Sequence, residues 1–366
     1  MFEIVFLIIL SIYFIFTAVV IIGASKTFPK LEDDKLPTVS IIVAARNEEK
    51  NILECIESLD KLEFPENKIE IILVDDNSTD KTGQIIDEFI LGKSKFRKII
   101  SSKKKGDLKG KTLAISNGIE IASNEIILTT DADCVVTPTW AKRIASYYVD
   151  DSVAIVNGMT NQFEINSFSA MQSVDFIYLL STASGAINIG KPMSCIGNNM
   201  SYRKSAYNEV GGYEGLDFSV TEDFNLLMAI DSLKKYKIIY PIDKETLVTS
   251  KACGTFKELY HQKKRWSVGG LESKLYGLIV IGAGFLANLL LLISPFFFSK
   301  SIIPLIAFKL LIDYFFIAPV HQKLGLTLKA KHFFLFELYF ILYVVIIPII
   351  LIFTRKVTWK EREYVW

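Results

Sequence analysis

An α/β domain on a parallel, doubly wound sheet, held between hydrophobic segments long enough to cross a bilayer, is the fold class that this sequence predicts. Three observations carry that expectation. Over 366 residues the chain is 51% hydrophobic with 26 Phe and has a mean hydropathy of +0.34, too apolar for one ordinary soluble domain. Between Pro37 and Ser250 short apolar runs alternate with amphipathic stretches, the pattern of strand–helix–strand units. Outside that region the sequence turns almost uniformly apolar, once before it and three times after it.

Residues 2–23 are apolar nearly without interruption, and their first charge is Glu3 rather than the basic cluster of a signal peptide. Residues 1–24 therefore read as an uncleaved transmembrane anchor. Lys26 and Lys30 follow closely and Lys35 a little later. By the positive-inside rule they put the next domain, residues 36–252, in the cytoplasm. Strands are expected there over 39–45, 69–74, 126–130 and 153–156. Helices are expected over 47–59, with Ile52, Ile56 and Leu59 at i, i+4, i+7; over 78–90, with Ser78 as cap and acids in the first turn; and over 111–122, with Ile115, Ile119 and Ala122 on one face. Thr137-Pro138 offers an N-cap and an N1 proline to the next helix.

Composition excludes several classes. Lys and Arg total 41 against 40 Asp and Glu, so no global field points to nucleic acid. The four cysteines, Cys55, Cys134, Cys195 and Cys253, form no C-x-x-C pair, and His261, His321 and His332 make no zinc-like cluster with them.

The expected strands end in polar residues. The first closes with Ala45-Arg46-Asn47-Glu48, the second with Asp75-Asp76-Asn77-Ser78-Thr79-Asp80, the third with Asp131-Ala132-Asp133. Ligands of open α/β sheets gather beyond the carboxyl ends of the strands. If the third strand continues, Asp131 and Asp133 project to the same side, where hard oxygen ligands suit a divalent cation that also takes phosphate oxygens. Asn77, Ser78 and Asp80 are equally the residue types that cap a helix. Asp76 is different, because two adjacent acids after a buried strand are costly unless something uses them.

With these residues in view the chain resembles the family 2 inverting glycosyltransferases. The matching motifs, in the family's order, are Ser40-Ile41-Ile42-Val43-Ala44-Ala45-Arg46-Asn47-Glu48, Val74-Asp75-Asp76-Asn77-Ser78-Thr79-Asp80, Asp131-Ala132-Asp133, Thr221-Glu222-Asp223 and Gln262-Lys263-Lys264-Arg265-Trp266, the last a full Q-x-x-R-W. The resemblance spans roughly residues 38–270 and implies a glycosyltransferase A-type nucleotide-binding domain. It implies that Asp76 contacts the nucleotide base, that Ala44 and Arg46 line the same pocket, and that Lys111 faces the donor, although Lys111 also reads as a solvated first-turn lysine. Asp133, with Asp131 behind it, is implied as ligand of Mg²⁺ or Mn²⁺ on the donor diphosphate. Asp223 falls at the family's general base; as plain structure, Thr221 would cap a helix through Leu226, Leu227, Ile230 and Leu233, with Glu222 and Asp223 as first-turn acids. The segment Cys195-Ile196-Gly197-Asn198-Asn199-Met200-Ser201-Tyr202-Arg203 also resembles the family, with acceptor contacts expected of it.

Gln262, Arg265 and Trp266 stand among Phe256, Lys257, Leu259, Tyr260, Lys263 and Lys264, a mixture that describes a helix over 254–274 lying at a membrane surface. Arg265 is suited to phosphate oxygens, and Trp266 to walling an acceptor site by stacking on a sugar ring. Residues 275–354 hold three hydrophobic segments, roughly 275–298, 302–320 and 333–353, each long enough to span. Lys309 and Asp313 lie inside the middle one at i, i+4, spaced to pair with each other. Topology is contested by the sequence itself. An inside catalytic domain followed by three full spans puts the tail, residues 355–366, outside, yet Arg355, Lys356, Lys360 and Arg362 are basic and so is the loop with Lys323, Lys329 and Lys331. At least one C-terminal segment is then expected to be re-entrant or interfacial, the last being the leading candidate because Pro348 interrupts it.

The expected protein is an integral membrane enzyme that moves a sugar from a nucleotide-sugar donor, UDP-linked, to a lipid-borne or saccharide acceptor at the bilayer, with no nucleic acid partner. Single transfer, as in ceramide-glucosyltransferase-like members, stands ahead of processive polysaccharide synthesis, because four spans are few for a polymer channel. An inactive scaffold is the non-enzyme alternative, opposed by the intact acids at 76, 131, 133 and 223.

Overall fold

The computed structural model describes residues 1–101, 108–217, 219, 221–354, 356–359 and 362–365. Arg355, Lys360 and Glu361 of the basic tail lie outside the described residues. The chain divides into two compact units: Thr27–Asn161 with Cys195–Lys251, and Met1–Lys26 with Gln162–Ser194 and Ala252–Trp366.

The first unit is built on a seven-stranded sheet in the order Phe96–Ile100, Ile69–Asp75, Val39–Ala45, Ile126–Asp131, Met200–Arg203, Val153–Asn157, Lys237–Ile239. The first four strands are parallel. Their near-continuous apolar runs are those of strands covered on both faces, and Ile41, Ile42, Val43, Ile71, Leu73, Ile126 and Leu128 are all fully buried. The expectation of a wholly parallel sheet needs correcting. Met200–Arg203 enters antiparallel to both its neighbours. This strand has no apolar run to betray it, and its polar atoms are used internally: Ser201 donates to the Val156 carbonyl at 2.8 Å, and its Oγ lies 2.9 Å from the Tyr148 hydroxyl.

Helices Ile52–Asp60, Thr82–Ile90, Gly110–Ile121 and Trp140–Ser146 flank the sheet. The first two begin about a turn later than their patterns suggest, because Asn47 and the expected cap Ser78 bond to one another's loops instead. Thr139, not Thr137, precedes the fourth helix; the Thr137 hydroxyl donates to the Glu245 carbonyl at 2.9 Å. Trp140 is 1% exposed and gives its indole N–H to Asn199 Oδ1 at 2.9 Å.

Among the described residues, the second unit holds four helices long and apolar enough to cross a membrane, Phe2–Ala24, Leu275–Phe297, Ile302–Leu324 and Ala330–Phe353. Two further helices, Ser167–Asn188 and Phe256–Leu271, belong to the same unit. The 22-residue helix Ser167–Asn188 is buried on nearly every side, so it shows no apolar stripe for periodicity to find. It approaches Phe2–Ala24 so closely that a Cβ on Gly185 would lie 2.2 Å from the Val20 carbonyl oxygen, and one on Gly23 2.0 Å from that of Gly185. The expected Lys309–Asp313 pair forms at 2.7 Å and is larger than expected: Glu337 meets Lys309 at 2.5 Å and the Tyr13 hydroxyl donates to Asp313 at 2.5 Å. Pro348 does not break the last segment, which is one continuous helix of 24 residues. Thr354, just past its end, accepts from Lys264 at 3.2 Å.

Candidate active site

In the first unit the strand order reverses about Val39–Ala45: Ile69–Asp75 lies on one side of it and Ile126–Asp131 on the other. Such a switch point opens a crevice at the carboxyl ends of the strands, and the candidate donor residues converge there. Two interlocked loops form one wall. Asn47 and Asn77 stand at φ 54° and 56°, a left-handed conformation that short polar side chains tolerate. The Asn47 N–H donates to Ser78 Oγ at 3.2 Å, the Thr79 N–H to Asn47 Oδ1 at 2.8 Å, the Glu48 N–H to Thr82 Oγ1 at 2.7 Å and the Glu49 N–H to Asp80 Oδ2 at 3.1 Å. Asn47, Ser78 and Asp80 are thus spent on loop architecture.

The adjacent acids Asp75 and Asp76 divide their work. Asp75 accepts the Ser78 N–H at 2.9 Å and holds the turn. Asp76, 6% exposed, meets the Arg46 guanidinium, whose Nη1 is 3.2 Å from its carbonyl oxygen and 3.4 Å from Oδ2. Ala44 sits in register with Asp131, a small residue between the Arg46 end and the acidic end of the crevice.

Lys111 is not a solvated lysine. Its Nζ lies 2.6 Å from Asp131 Oδ1 and 3.6 Å from Glu222 Oε1. Burial disfavours its charge, but Asp131 and Glu222 outweigh that and hold its pKa above the ordinary value. Asp131 and Asp133 do come together, by a route other than strand alternation: the strand stops at Asp131, and a turn closed by the Cys134 N–H on the Asp131 carbonyl at 3.1 Å carries Asp133. Burial, then the Asp131 and Glu48 carboxylates, push Asp133 up to about 6. The Cys134 thiol donates to Asp133 Oδ1 at 3.5 Å. With Lys111 engaged by Asp131, Asp133 is a half-buried carboxylate in an acidic corner, and its hard oxygens would suit a divalent cation. Among the described residues no group of three or more His, Cys, Asp or Glu is arranged as a complete metal cage.

Asp223 lies in the first turn of the helix Glu222–Ser232. Thr221 precedes that helix without capping it through its side chain; its hydroxyl is 3.1 Å from that of Ser219. A Cβ on Gly197 would fall 3.2 Å from Asp223 Cβ, so glycine permits the backbone of Gly197–Asn199 to run against the acid. The acceptor contacts expected of that segment do not extend to Asn199, which is fully buried and donates to the carbonyls of Met159 and Thr246 at 2.7 and 2.8 Å. Glu222 and Glu48 stand within the matched motifs, where no site role was expected of them; Glu222 lies 3.6 Å from Lys111, and Glu48 is one of the carboxylates that raise Asp133. Which acid meets which lysine or second acid is a tertiary property.

Gln262, Arg265 and Trp266 lie on the helix Phe256–Leu271 of the second unit. The helix is less superficial than its composition suggests: Lys263 and Lys264 are 3% and 7% exposed. Lys263 pairs with Asp175, and Trp266 stacks on Phe176, centroids 5.3 Å apart at 18°. The ring expected to stack on a sugar is thus already engaged by a phenylalanine.

Comparisons with known proteins bear on the family and the fold. The description "Glycosyl transferase family 2" matches residues 40–211, and "Glycosyl transferase family group 2" matches residues 126–354, more than half of the chain. A beta-monoglucosyldiacylglycerol synthase from Nostoc sp. is 29% identical over 266 residues, covering 70% of this chain and 54% of the relative. A poly-beta-1,6-N-acetyl-D-glucosamine synthase from Staphylococcus epidermidis is 27% identical over 258 residues, covering 66% and 57%. The chain thus spans little more than half the length of these curated relatives. Among solved structures, the mannosyltransferase PcManGT from Pyrobaculum calidifontis, in complex with GDP-Man and Mn²⁺, superposes with a TM-score of 0.61 at 15% identity over 94% of this chain and 99% of that one, a likeness of fold. With the motifs in order, the crevice at the switch point and the family match over most of its length, the chain belongs to the family 2 glycosyltransferases.

Proposed function

We propose that the chain is a membrane-bound inverting glycosyltransferase that moves a sugar from a nucleotide-sugar donor, UDP-linked, to a lipid-borne or membrane-proximal acceptor, its catalytic unit on the cytoplasmic side. The observation that supports this most is the meeting of Lys111, Asp131 and Glu222, with Asp133 beside them, beyond the strand ends at the switch point. In this reading Asp76 accepts from the nucleotide base, and Ala44 and Arg46 line its pocket. Lys111 and Asp131 face the donor, and Asp133 with Asp131 holds Mg²⁺ or Mn²⁺. The bound cation supplies neutralisation of charge on the departing diphosphate.

Asp223 acts as the general base. The acceptor hydroxyl oxygen attacks the anomeric carbon from the face opposite the diphosphate, forming the new carbon–oxygen bond. The bond to the diphosphate breaks with its electron pair leaving on phosphate, and the hydroxyl proton passes to the Asp223 carboxylate. Gln262, Arg265 and Trp266 serve the diphosphate and acceptor end, Arg265 as a planar donor to phosphate oxygens.

The Nostoc relative's name makes glucosyl transfer to diacylglycerol the first pair to try; the Staphylococcus relative's name supports processive synthesis as the second reading. The test is a screen of nucleotide sugars for UDP or GDP release by the purified protein, with and without dioleoylglycerol or membrane lipid extract. Release that needs lipid, with one sugar added, supports single transfer. A lengthening polymer selects the second reading, and no nucleotide release from any donor overturns both.

A further inference from the structure

A buried charge pair stands behind the Q-x-x-R-W helix. Asp175, in the middle of Ser167–Asn188, is 0% exposed and Lys263, one turn before Trp266, is 3% exposed; the two form an ion pair. The Tyr343 hydroxyl donates to Asp175 Oδ1 at 2.8 Å. Lys263 Nζ also stands 4.2 Å from the centre of the Trp266 ring, within cation–π range. The residue after Asp175 is Phe176, on which the same indole stacks. One turn of Ser167–Asn188 therefore holds Trp266 twice, through a stacked ring and through a lysine fixed by a carboxylate.

A buried ion pair is weak support for stability, because desolvation of the two charges offsets their attraction. Its strength is geometric. A flexible lysine stem stays over a ring only if its ammonium has a fixed partner. We propose that Asp175, with Tyr343, is a positioning residue: it holds Lys263 and, through Lys263, sets the orientation of the Trp266 indole. Because Phe176 and Lys263 both engage the ring, they fix the plane of the indole that Trp266 presents to the acceptor. This last point rests on the acceptor role assigned to Trp266 above.

The full-length protein, labelled with 5-fluorotryptophan and held in phosphatidylglycerol vesicles containing dioleoylglycerol, carries the test. Trp266→Phe assigns the Trp266 fluorine resonance by its loss. Asp175→Asn leaves Lys263 buried without a counter-charge and is expected to fold poorly, so the deciding variant is Asp175→Asn/Lys263→Met, which removes both charges. It should fold and move the Trp266 resonance. It should also raise the KM for dioleoylglycerol about tenfold or more, the scale of a misplaced binding group, while UDP-glucose hydrolysis without acceptor keeps its rate. Lys263→Arg, which keeps a cation paired with Asp175, should leave both readouts as in the unsubstituted protein. A folded double variant with an unmoved Trp266 resonance overturns the proposal. Trp266→Phe with an unchanged KM for dioleoylglycerol overturns instead the acceptor role of the indole, and leaves the resonance result to stand by itself.

Discussion

Asp133 and Asp223 are both acids at the start of a turn or helix, yet their surroundings ask different things of them. Asp133, held at about 6 by burial and by Asp131 and Glu48, is protonated in the folded chain over a range where it would be ionised in the unfolded one. Between its ordinary 3.8 and about 6 the folded state keeps a proton that the unfolded state has released, so stability falls as pH rises through that window. On the proposed metal role, a cation bound at Asp133 would displace the same proton. Mn²⁺ affinity, followed by calorimetry, should therefore fall about tenfold per pH unit below about 6 and level off above it; Asp133→Asn should flatten the profile. Asp133→Ala should abolish transfer while the protein stays folded, and full turnover in excess EDTA would refute the cation's role. Asp223→Asn keeps shape and the bond from the Phe224 N–H at 2.9 Å but loses proton acceptance. Turnover should drop roughly 10²-fold or more with donor affinity retained. Lower thermal stability with normal turnover per folded molecule would make Asp223 a helix-end acid and nothing else.

Elements show where local pattern and packing part company. The alternating strands were legible because a buried parallel strand must be apolar on both faces; Met200–Arg203 was not, because its neighbours, not its residues, make it a strand. Ser167–Asn188 was hidden for the opposite reason, being buried all round. Its crossing with Phe2–Ala24 gives a sharp test. Gly185→Ala gains up to about 1 kcal/mol in helix propensity, but the new Cβ would sit 2.2 Å from the Val20 carbonyl oxygen, and overpacking costs about 1–3 kcal/mol. The nearest clashing atom is a backbone oxygen, which cannot rotate away as a side chain can, so the clash wins: thermal unfolding in detergent should shift downward. An unchanged or raised midpoint would mean that the two helices are not packed this closely.

Over the whole molecule the open question is the side of the membrane on which the tail emerges. Four candidate spans and an inside catalytic domain would put it outside; its basic residues argue for inside. The continuous helix through Pro348 removes a re-entrant turn at that proline as the way out. What favours an inside tail is the Lys264–Thr354 contact at 3.2 Å, which ties the end of the last helix to the Q-x-x-R-W helix, read as lying at the membrane surface and, on the proposed orientation, on its inner side. The last helix would then end on the side from which Leu275–Ile293 starts, and one of the apolar helices would not cross fully. Cysteines placed at Thr358 and Thr327 and labelled from each side of intact cells should both react only from within. A tail labelled only from outside leaves three ordinary spans.

By itself the sequence determined the family, the α/β class, the membrane segments and the set of acids at the strand ends, because each is written in local period or in short motifs that survive without context. Tertiary structure decided what each of those residues does. It used Asp75 and Asn47 for loops and kept Asp76 for Arg46. It also turned Lys111 from a helix-start lysine into the partner of Asp131 and Glu222, and set Asp175 behind Trp266 through Lys263. Charge pairing and burial depend on residues far apart in the chain, and a linear pattern carries no record of which of them will meet.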